Sequence, residues 1–504
     1  MNRLDRIISA VAPRYGMRRS AARVAIQRLN AFDATKPTRR NTRRDRTLTA
    51  DDAILPNLRG LTAQARDMVR NNPYARSIVS AYVRNVVGSG IMPVPMIRRV
   101  NGKDFERANE LIAEAWSRWA TDPDVCDMEG RSSYWHAQTI AVENLVAAGE
   151  HLMAVWPADN PAGVPDLQFQ ILDPEQLDDD KLRGEGGRPV RGGVELNART
   201  MRPVAYWIRP IEVDPLGNIS GRGGLGGYLT ESVRVPAEFI VHVFMRERAG
   251  QTRGYSWLAP VIPDLQEVKD FDTAHLWAAK MEASVGLIIE RATGGEGSPP
   301  IGAPAPEHDA GVRSSDEINI HPGMVADTAP GESVKPFTPS RPGNTYDPFI
   351  RSKVGSIAAG VNLSYAQVAR DFHQGNFSSQ RQSAKEDQRF WRVVHQLLIN
   401  QSERIVYRRF VNAASLKSTV LPTAVTRTQR ANLARHEWRP QPWEMIDPLK
   451  ETRAHVERLQ NHLSTLRDLV ADQGGDWREH VRQIANEDRF ASEQGITLPR
   501  GGDS

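Results

Sequence analysis

The sequence predicts an α+β fold built from several parts, and three observations carry that prediction. Short apolar runs bounded by Gly, Pro and Asp cluster between residues 152 and 244, where strands are expected. Apolar stripes stepping by threes and fours, the mark of helices, lie on either side of that region. Stretches rich in Gly and Pro separate the two patterns and mark loops rather than general disorder. At 504 residues, 40% hydrophobic and 25% charged, the chain has length for about two to four domains, or for one elongated subunit of several parts.

Residues 1–30 read as a basic amphipathic helix interrupted near Pro13, and residues 31–56 as an extended arm. Within it Lys36, Arg39, Arg40, Arg43, Arg44 and Arg46 stand against Asp45 alone. Such a block is either a solvated arm or a contact to nucleic acid or an acidic partner. From Leu58 to Val87 the pattern is helical: Leu61, Ala65 and Met68 repeat, and Ile78 and Tyr82 follow the Asn71-Asn72-Pro73 turn. Gly88-Ser89-Gly90 ends that unit. Ile91–Ile97 reads as a strand that Pro93 and Pro95 confine to a sheet edge. Helices are expected over Phe105–Trp119 and Tyr134–Ala148. Strands are expected at Leu152–Trp156, Leu167–Leu172, Val204–Ile208 and Phe239–Phe244, with glycine-rich loops at 184–193 and 216–227.

Val261, Leu265, Val268, Phe271, Ala274, Ala278, Met281 and Val285 then predict a single helix of ~36 Å at ~1.5 Å per residue. A short strand, Leu287–Ile289, precedes a Gly/Pro/Ala loop at 293–311 and small strands and turns at 318–339. A second helix begins near Thr345 and passes Ile357. Residues 363–380 read as irregular and polar. A long helix over Ser383–Phe410 carries Phe390, Val394, Leu397 and Ile405 on one face. Val456, Leu459, Leu463, Leu466 and Val470 make a further stripe, broken at Gly474-Gly475. Asp476 is placed to cap a last helix that holds Trp477, Val481 and Ile484.

Composition narrows the function. The net charge of +4 is too weak to argue for a dedicated DNA-binding domain. The lone Cys126 allows no disulfide or cysteine-zinc framework within one chain, which fits a reducing cytoplasm. No apolar run approaches the ~18 residues of a membrane span, so no membrane partner is expected. There is no phosphate-cradling P-loop and no G-x-S-x-G elbow. Gly221, Gly223 and Gly226 match a dinucleotide fingerprint in spacing but lack the strand and helix that must flank it. His151 follows Glu150 without the second histidine of a zinc motif. The acidic cluster Asp173, Glu175, Asp178, Asp179 and Asp180 is either a solvated face after a turn or a divalent-metal site. The second reading gives the alternative function, a metal-dependent nuclease acting on DNA. Trp116 with Trp119, and Tyr134 with Trp135, read as core or interface aromatics rather than base-stacking platforms.

Several runs resemble one family. They are Ala65-Arg66-Asp67-Met68-Val69-Arg70-Asn71-Asn72-Pro73-Tyr74-Ala75 and Val83-Arg84-Asn85-Val86-Val87-Gly88-Ser89-Gly90-Ile91. Ala148-Gly149-Glu150, Gln170-Ile171-Leu172-Asp173-Pro174-Glu175-Gln176-Leu177 and Arg253-Gly254-Tyr255-Ser256-Trp257-Leu258-Ala259-Pro260 follow in order, then Trp443-Glu444-Met445-Ile446-Asp447-Pro448-Leu449-Lys450-Glu451. Together they resemble the lambda-type portal proteins of tailed bacteriophages over about residues 20–490.

The resemblance implies an α+β multi-part portal fold. In it a basic N-terminal arm (1–56) precedes a mixed α/β wing (57–257), and a first stem helix (258–285) and a second (341–362) flank a small α/β clip (286–340). A channel loop (363–382) leads to a long wing helix and the wing/crown connection (383–440), a helical C-terminal crown (441–490) and a flexible tail (491–504). It also implies a non-enzymatic subunit without cofactor or metal, a cyclic homo-oligomer expected as a dodecamer. The ring would sit at the portal vertex of the virion after assembly in the host cytoplasm. The implied partners are non-specifically bound double-stranded DNA, the terminase large subunit, head-tail connector proteins, and major capsid and scaffold proteins. Arg370, His373, Gln374, Asn376 and Arg381 of the channel loop are candidates to lie near DNA, with solvated or inter-subunit roles as the other reading. A monomeric DNA-binding adaptor using the arginine arm is a third possibility.

Overall fold

Leu61, Ala65 and Met68 are buried along one side of a helix, as their spacing requires. They belong to a computed structural model of the chain that describes residues 48–98, 105–211, 231–283, 287–291, 332–336, 346–372, 376–422, 432–440, 442–443 and 447–496. The helix expected at 1–30, the arginine arm, the Gly221–Gly226 fingerprint, the 293–311 loop, His373 and Gln374 lie outside the described residues. The chain divides into two compact units, residues 1–263 with 355–504, and residues 264–354.

In the first unit α1 (Ala50–Ile54) corrects the expectation of an extended arm up to residue 56. Thr49 caps it by accepting from the Asp52 amide. Its buried Asp51 accepts from the Thr252 amide at 2.8 Å and hydroxyl at 2.7 Å, which anchors this segment. Then come α2 (Leu58–Asn71) and α3 (Pro73–Tyr82), divided where Asn72 caps the second and Pro73 opens it. A π turn at Val83–Val87 leads to β1 (Met92–Pro95), α4 (Glu106–Thr121), the short α5 (Pro123–Cys126) and α6 (Tyr134–Ala147). Strands β2 (Glu150–Pro157) and β3 (Leu167–Leu172) follow, then β4 (Val190–Arg191), β5 (Val194–Leu196), β6 (Pro203–Ile208), β7 (Val233–Pro236) and β8 (Ile240–Phe244). The β4–β5 hairpin starts inside the segment expected to be a glycine-rich loop, because strands this short have no readable period.

The sheets are antiparallel, in the orders β3-β2-β8 and β4-β5-β6-β7, with Leu152 paired to Leu172 on one side and His242 on the other. Leu152, Ala154 and Leu172 of the first sheet share an apolar cluster with Val194, Leu196, Tyr206 and Ile208 of the second. A second core is aromatic. Trp116 meets Phe410 at 4.9 Å between ring centroids, and Trp119 meets Tyr134 at 5.3 Å. Trp116, Trp119 and Tyr134 are thus core residues, whereas Trp135 is exposed and donates to the Gly88 carbonyl at 2.7 Å.

The second unit begins within α7 (Ile262–Ala283), which starts later than residue 258 because Leu258–Val261 form a turn before Pro263. Strands β9 (Leu287–Arg291) and β10 (Glu332–Pro336) pair antiparallel, and α8 (Tyr346–Gly360) runs out of this unit. Lys353 bridges Asp264 at 3.2 Å and Glu267 at 2.8 Å, tying α8 to α7. Phe271 and His275 stack on Tyr346, whose hydroxyl donates to Asp272 at 2.6 Å. Tyr346→Phe keeps the stacking and loses that bond. It is expected to lower the unit's stability by about 1 kcal/mol in urea unfolding.

Beyond α8, α9 (Tyr365–Ala369) and α10 (Phe377–Leu398) correct the reading of 363–380 as irregular. The long helix starts at Phe377 rather than Ser383 because Asn376 caps it. It is also not continuous: a π turn at Ile399–Glu403 separates it from α11 (Arg404–Leu416). β11 (His436–Arg439) pairs with β1 in a two-stranded sheet. Three helices complete the unit: α12 (Pro448–Gln460), α13 (Leu466–Asp472) and α14 (Trp477–Glu493), the last capped by Asp476 as expected.

Candidate functional site

Of the five loop candidates the structure describes three. Arg370 ends α9 in the left-handed conformation, φ 53°, and is exposed. It stands within electrostatic reach of Arg84, whose pKa is lowered first by burial and then by this like charge. Asn376 is committed locally, its side chain accepting from the Ser379 amide at 2.8 Å. Arg381 is half-buried and reaches Glu451 at 3.6 Å, so its charge is already met within the chain. Asn376 and Arg381 come together around an open concavity of 570 Å³ that Ser378, Ser379, Gln382 and Lys385 also line. Beside it Asp387 accepts from the Ser364 amide at 2.8 Å and hydroxyl at 2.6 Å, which pins the start of α9 to α10. Burial raises the Asp387 pKa, and the Ser364 bonds oppose the rise. These groups can meet an anion through Arg370 and Lys385, and they form no catalytic arrangement.

The acidic cluster has a different use from metal binding. Arg66 reaches Asp173 at 2.8 Å and Glu175 at 3.2 Å. Arg209, itself buried, pairs with Asp178 and with Asp180 at 3.0 Å, and Arg59 pairs with Asp179. Ser232 donates to the remaining Asp178 oxygen at 2.6 Å. Among the described residues no group of His, Cys, Asp and Glu is arranged to hold a metal ion. The carboxylates fasten α2 to the segment after β3, and the nuclease alternative loses its motif.

Sequence reasoning missed the strongest polar construction. Arg253 donates through Nε to both Glu150 oxygens, at 2.8 and 2.9 Å, and its Nη atoms reach the Gly192 carbonyl at 2.6 Å and the Pro174 carbonyl at 3.0 Å. The Gly254 amide and His242 Nε2 complete the carboxylate's shell at 3.0 and 2.9 Å. Burial would raise the Glu150 pKa, but the guanidinium and the imidazole hold it down at about 2. The two chain segments approach so closely that only glycine fits. A Cβ on Gly149, φ 87°, would sit 1.9 Å from the Tyr255 carbonyl carbon, and one on Gly254 would sit 2.1 Å from the Gly149 oxygen. Ser256 adds a bond to the Val146 carbonyl at 3.0 Å. The runs Ala148-Gly149-Glu150 and Arg253-Gly254-Tyr255-Ser256 are therefore two halves of one buried lock, which joins β2 to the turn that enters α7.

A second buried carboxylate, Glu403, lies in the π turn. It accepts from the Tyr134 hydroxyl at 2.8 Å and Gln138 Nε2 at 2.9 Å. No cation faces it there, and burial raises its pKa to about 7 against the pull of those donors. Gln138 also bonds both the Ile91 amide and its carbonyl, so the turn, α6 and the approach to β1 are linked.

No described helix is long and apolar enough to cross a membrane. The sequence profile described as phage portal protein, lambda family, matches residues 36–395. The probable portal protein of Halomonas phage phiHAP-1 is 25% identical over 480 residues, covering 93% of this chain and 88% of that protein. Portal protein B of Escherichia phage lambda is 24% identical over 483 residues, covering 89% and 87%. A chain in a solved structure of the neck of an empty GTA particle overlaps 83% of this chain and 94% of its own length, with a TM-score of 0.41 at 13% identity. With a profile match over well more than half of its length, the chain belongs to the lambda family of phage portal proteins, which are structural subunits and not enzymes.

Proposed function

We propose that the chain is one subunit of a closed ring, a dodecamer, at a single capsid vertex, and that double-stranded DNA passes through the ring during packaging and ejection. Family membership carries this reading. The order of elements supports it: α7 and α8 bracket β9 and β10, the arrangement expected of two stem helices around a clip. In this reading residues 286–340 dock the terminase large subunit and later the head-tail connector proteins. The wing (57–257) and the crown (441–490) meet the major capsid and scaffold proteins as the shell assembles in the host cytoplasm. A cyclic assembly needs two unlike faces per subunit, and side-by-side stem helices offer them.

DNA that must slide calls for weak phosphate contacts without base reading. Arg370, exposed at the end of α9, suits that task, with His373, Gln374 and Asn376 beside it in sequence. Arg381 fits less well, because Glu451 already meets its charge. Arg370→Glu combined with His373→Glu is expected to lower DNA packaging or retention severalfold while ring images stay unchanged. Packaging and retention at the parent level would remove the loop from the DNA path.

A further inference from the structure

A helix of 13 residues that buries none of them does not hold in water on propensity alone, and α12 is such a helix. Its tie to the rest of the chain is the Glu451–Arg381 contact, and Asp447 caps its start. Leu449, 62% exposed, and Val456, 46% exposed, lie open along a concavity of 640 Å³ that Thr452, Arg453 and Glu457 also line. Arg453 is four residues after Leu449 and three before Val456, so a cation stands in the middle of this apolar line. On α14 a second line is open. Val481 is 42% and Ile484 46% exposed, while Ala491 is the helix's buried residue. Glu487 and Asp488 follow Ile484 by three and four residues, so anions continue that line.

We propose that these two faces meet between neighbouring copies of the chain, α12 of one copy packing on α14 of the next, with Arg453 opposite Glu487 and Asp488. The contact rests on the ring reading and names one of its subunit interfaces. The faces point to a second copy because they are unlike and complementary. Apolar side chains match on both, and the charges within them are opposite. A two-fold pairing of α12 with itself would set Arg453 against Arg453, whereas a head-to-tail contact uses both faces and can close. Rim charges of this kind steer assembly, and the apolar residues between them hold it.

The test is ring assembly by full-length protein, followed by mass photometry over a concentration series, with circular dichroism as the check on folding. Arg453→Glu is expected to raise the concentration needed for rings about tenfold, and adding Glu487→Arg with Asp488→Arg is expected to bring it back. Leu449→Ser with Val456→Ser removes the apolar half without adding charge and is expected to weaken rings at unchanged helix content. Rings indifferent to both changes, or a loss that the paired reversal does not repair, would overturn the inference and leave the ring reading intact. Parent protein that is monomeric at every concentration would overturn the ring reading itself, and this contact with it.

Discussion

Replacing Arg253 with methionine is expected to destabilise the protein by about 3–5 kcal/mol, because it strands the Glu150 carboxylate in the interior without its cation. Both side chains are almost wholly shielded, and the guanidinium is shared with the Gly192 and Pro174 carbonyls as well as Glu150. Little relaxation is available, since the Gly149 and Gly254 backbones already touch the opposite segment. Glu150→Gln alone leaves the arginine without a counter-charge and is expected to cost nearly as much. The double variant is expected to lose clearly less than the sum of the two, because the partners couple through direct contact. Urea unfolding of the two single variants and the double variant measures this, and strict additivity would contradict the lock. The Glu150 pKa is lower in the folded chain than in the unfolded one. Its contribution is therefore full above the ordinary carboxylate range and is lost only as pH falls towards about 2.

Glu403 has the opposite signature. Its pKa rises from 4.5 to about 7 on folding, so its contribution is full below 4.5 and disappears as pH climbs to about 7. Glu403→Gln is expected to be more stable than the parent by about 3 kcal/mol at pH 8, from roughly 2.5 pKa units at about 1.36 kcal/mol each, and equal to it at about pH 4. The amide oxygen can take the place of the oxygen that both Tyr134 and Gln138 reach, so the network survives the change. The comparison has to be made against the parent at each pH. His151, held neutral by burial and by His242 with its pKa lowered to about 3, loses its own contribution as pH falls below 6.5. A stability difference that does not grow between pH 4.5 and 7 would contradict a buried, titrating Glu403.

Much of the fold was legible because its long elements have clean periods. The stripe around Leu265 and Val268 lies on α7, and the runs 152–156 and 167–172 fall on β2 and β3. The elements that escaped have too few residues to show a period: α1, the β4–β5 hairpin and β11. The π turn between α10 and α11 was invisible for another reason. The apolar stripe from Phe390 to Ile405 runs on through it, while the backbone accommodates Glu403. The caps were readable in residue type, and Asp476 was read correctly, whereas Asn376 was assigned to the DNA path although its side chain is taken up by the Ser379 amide. The lock was present in the sequence only as two short strings about a hundred residues apart. Nothing in either string says that Glu150 and Arg253 meet. The acidic cluster was open to a metal reading for the same reason, since its partners Arg59, Arg66 and Arg209 are distant in sequence or on another element.

Negative-stain electron microscopy of the purified full-length chain tests the central claim most directly. Closed rings with a central opening that admits duplex DNA are the predicted result, and their rotational symmetry gives the subunit number. Compact single subunits at every concentration, with or without scaffold protein, would contradict it.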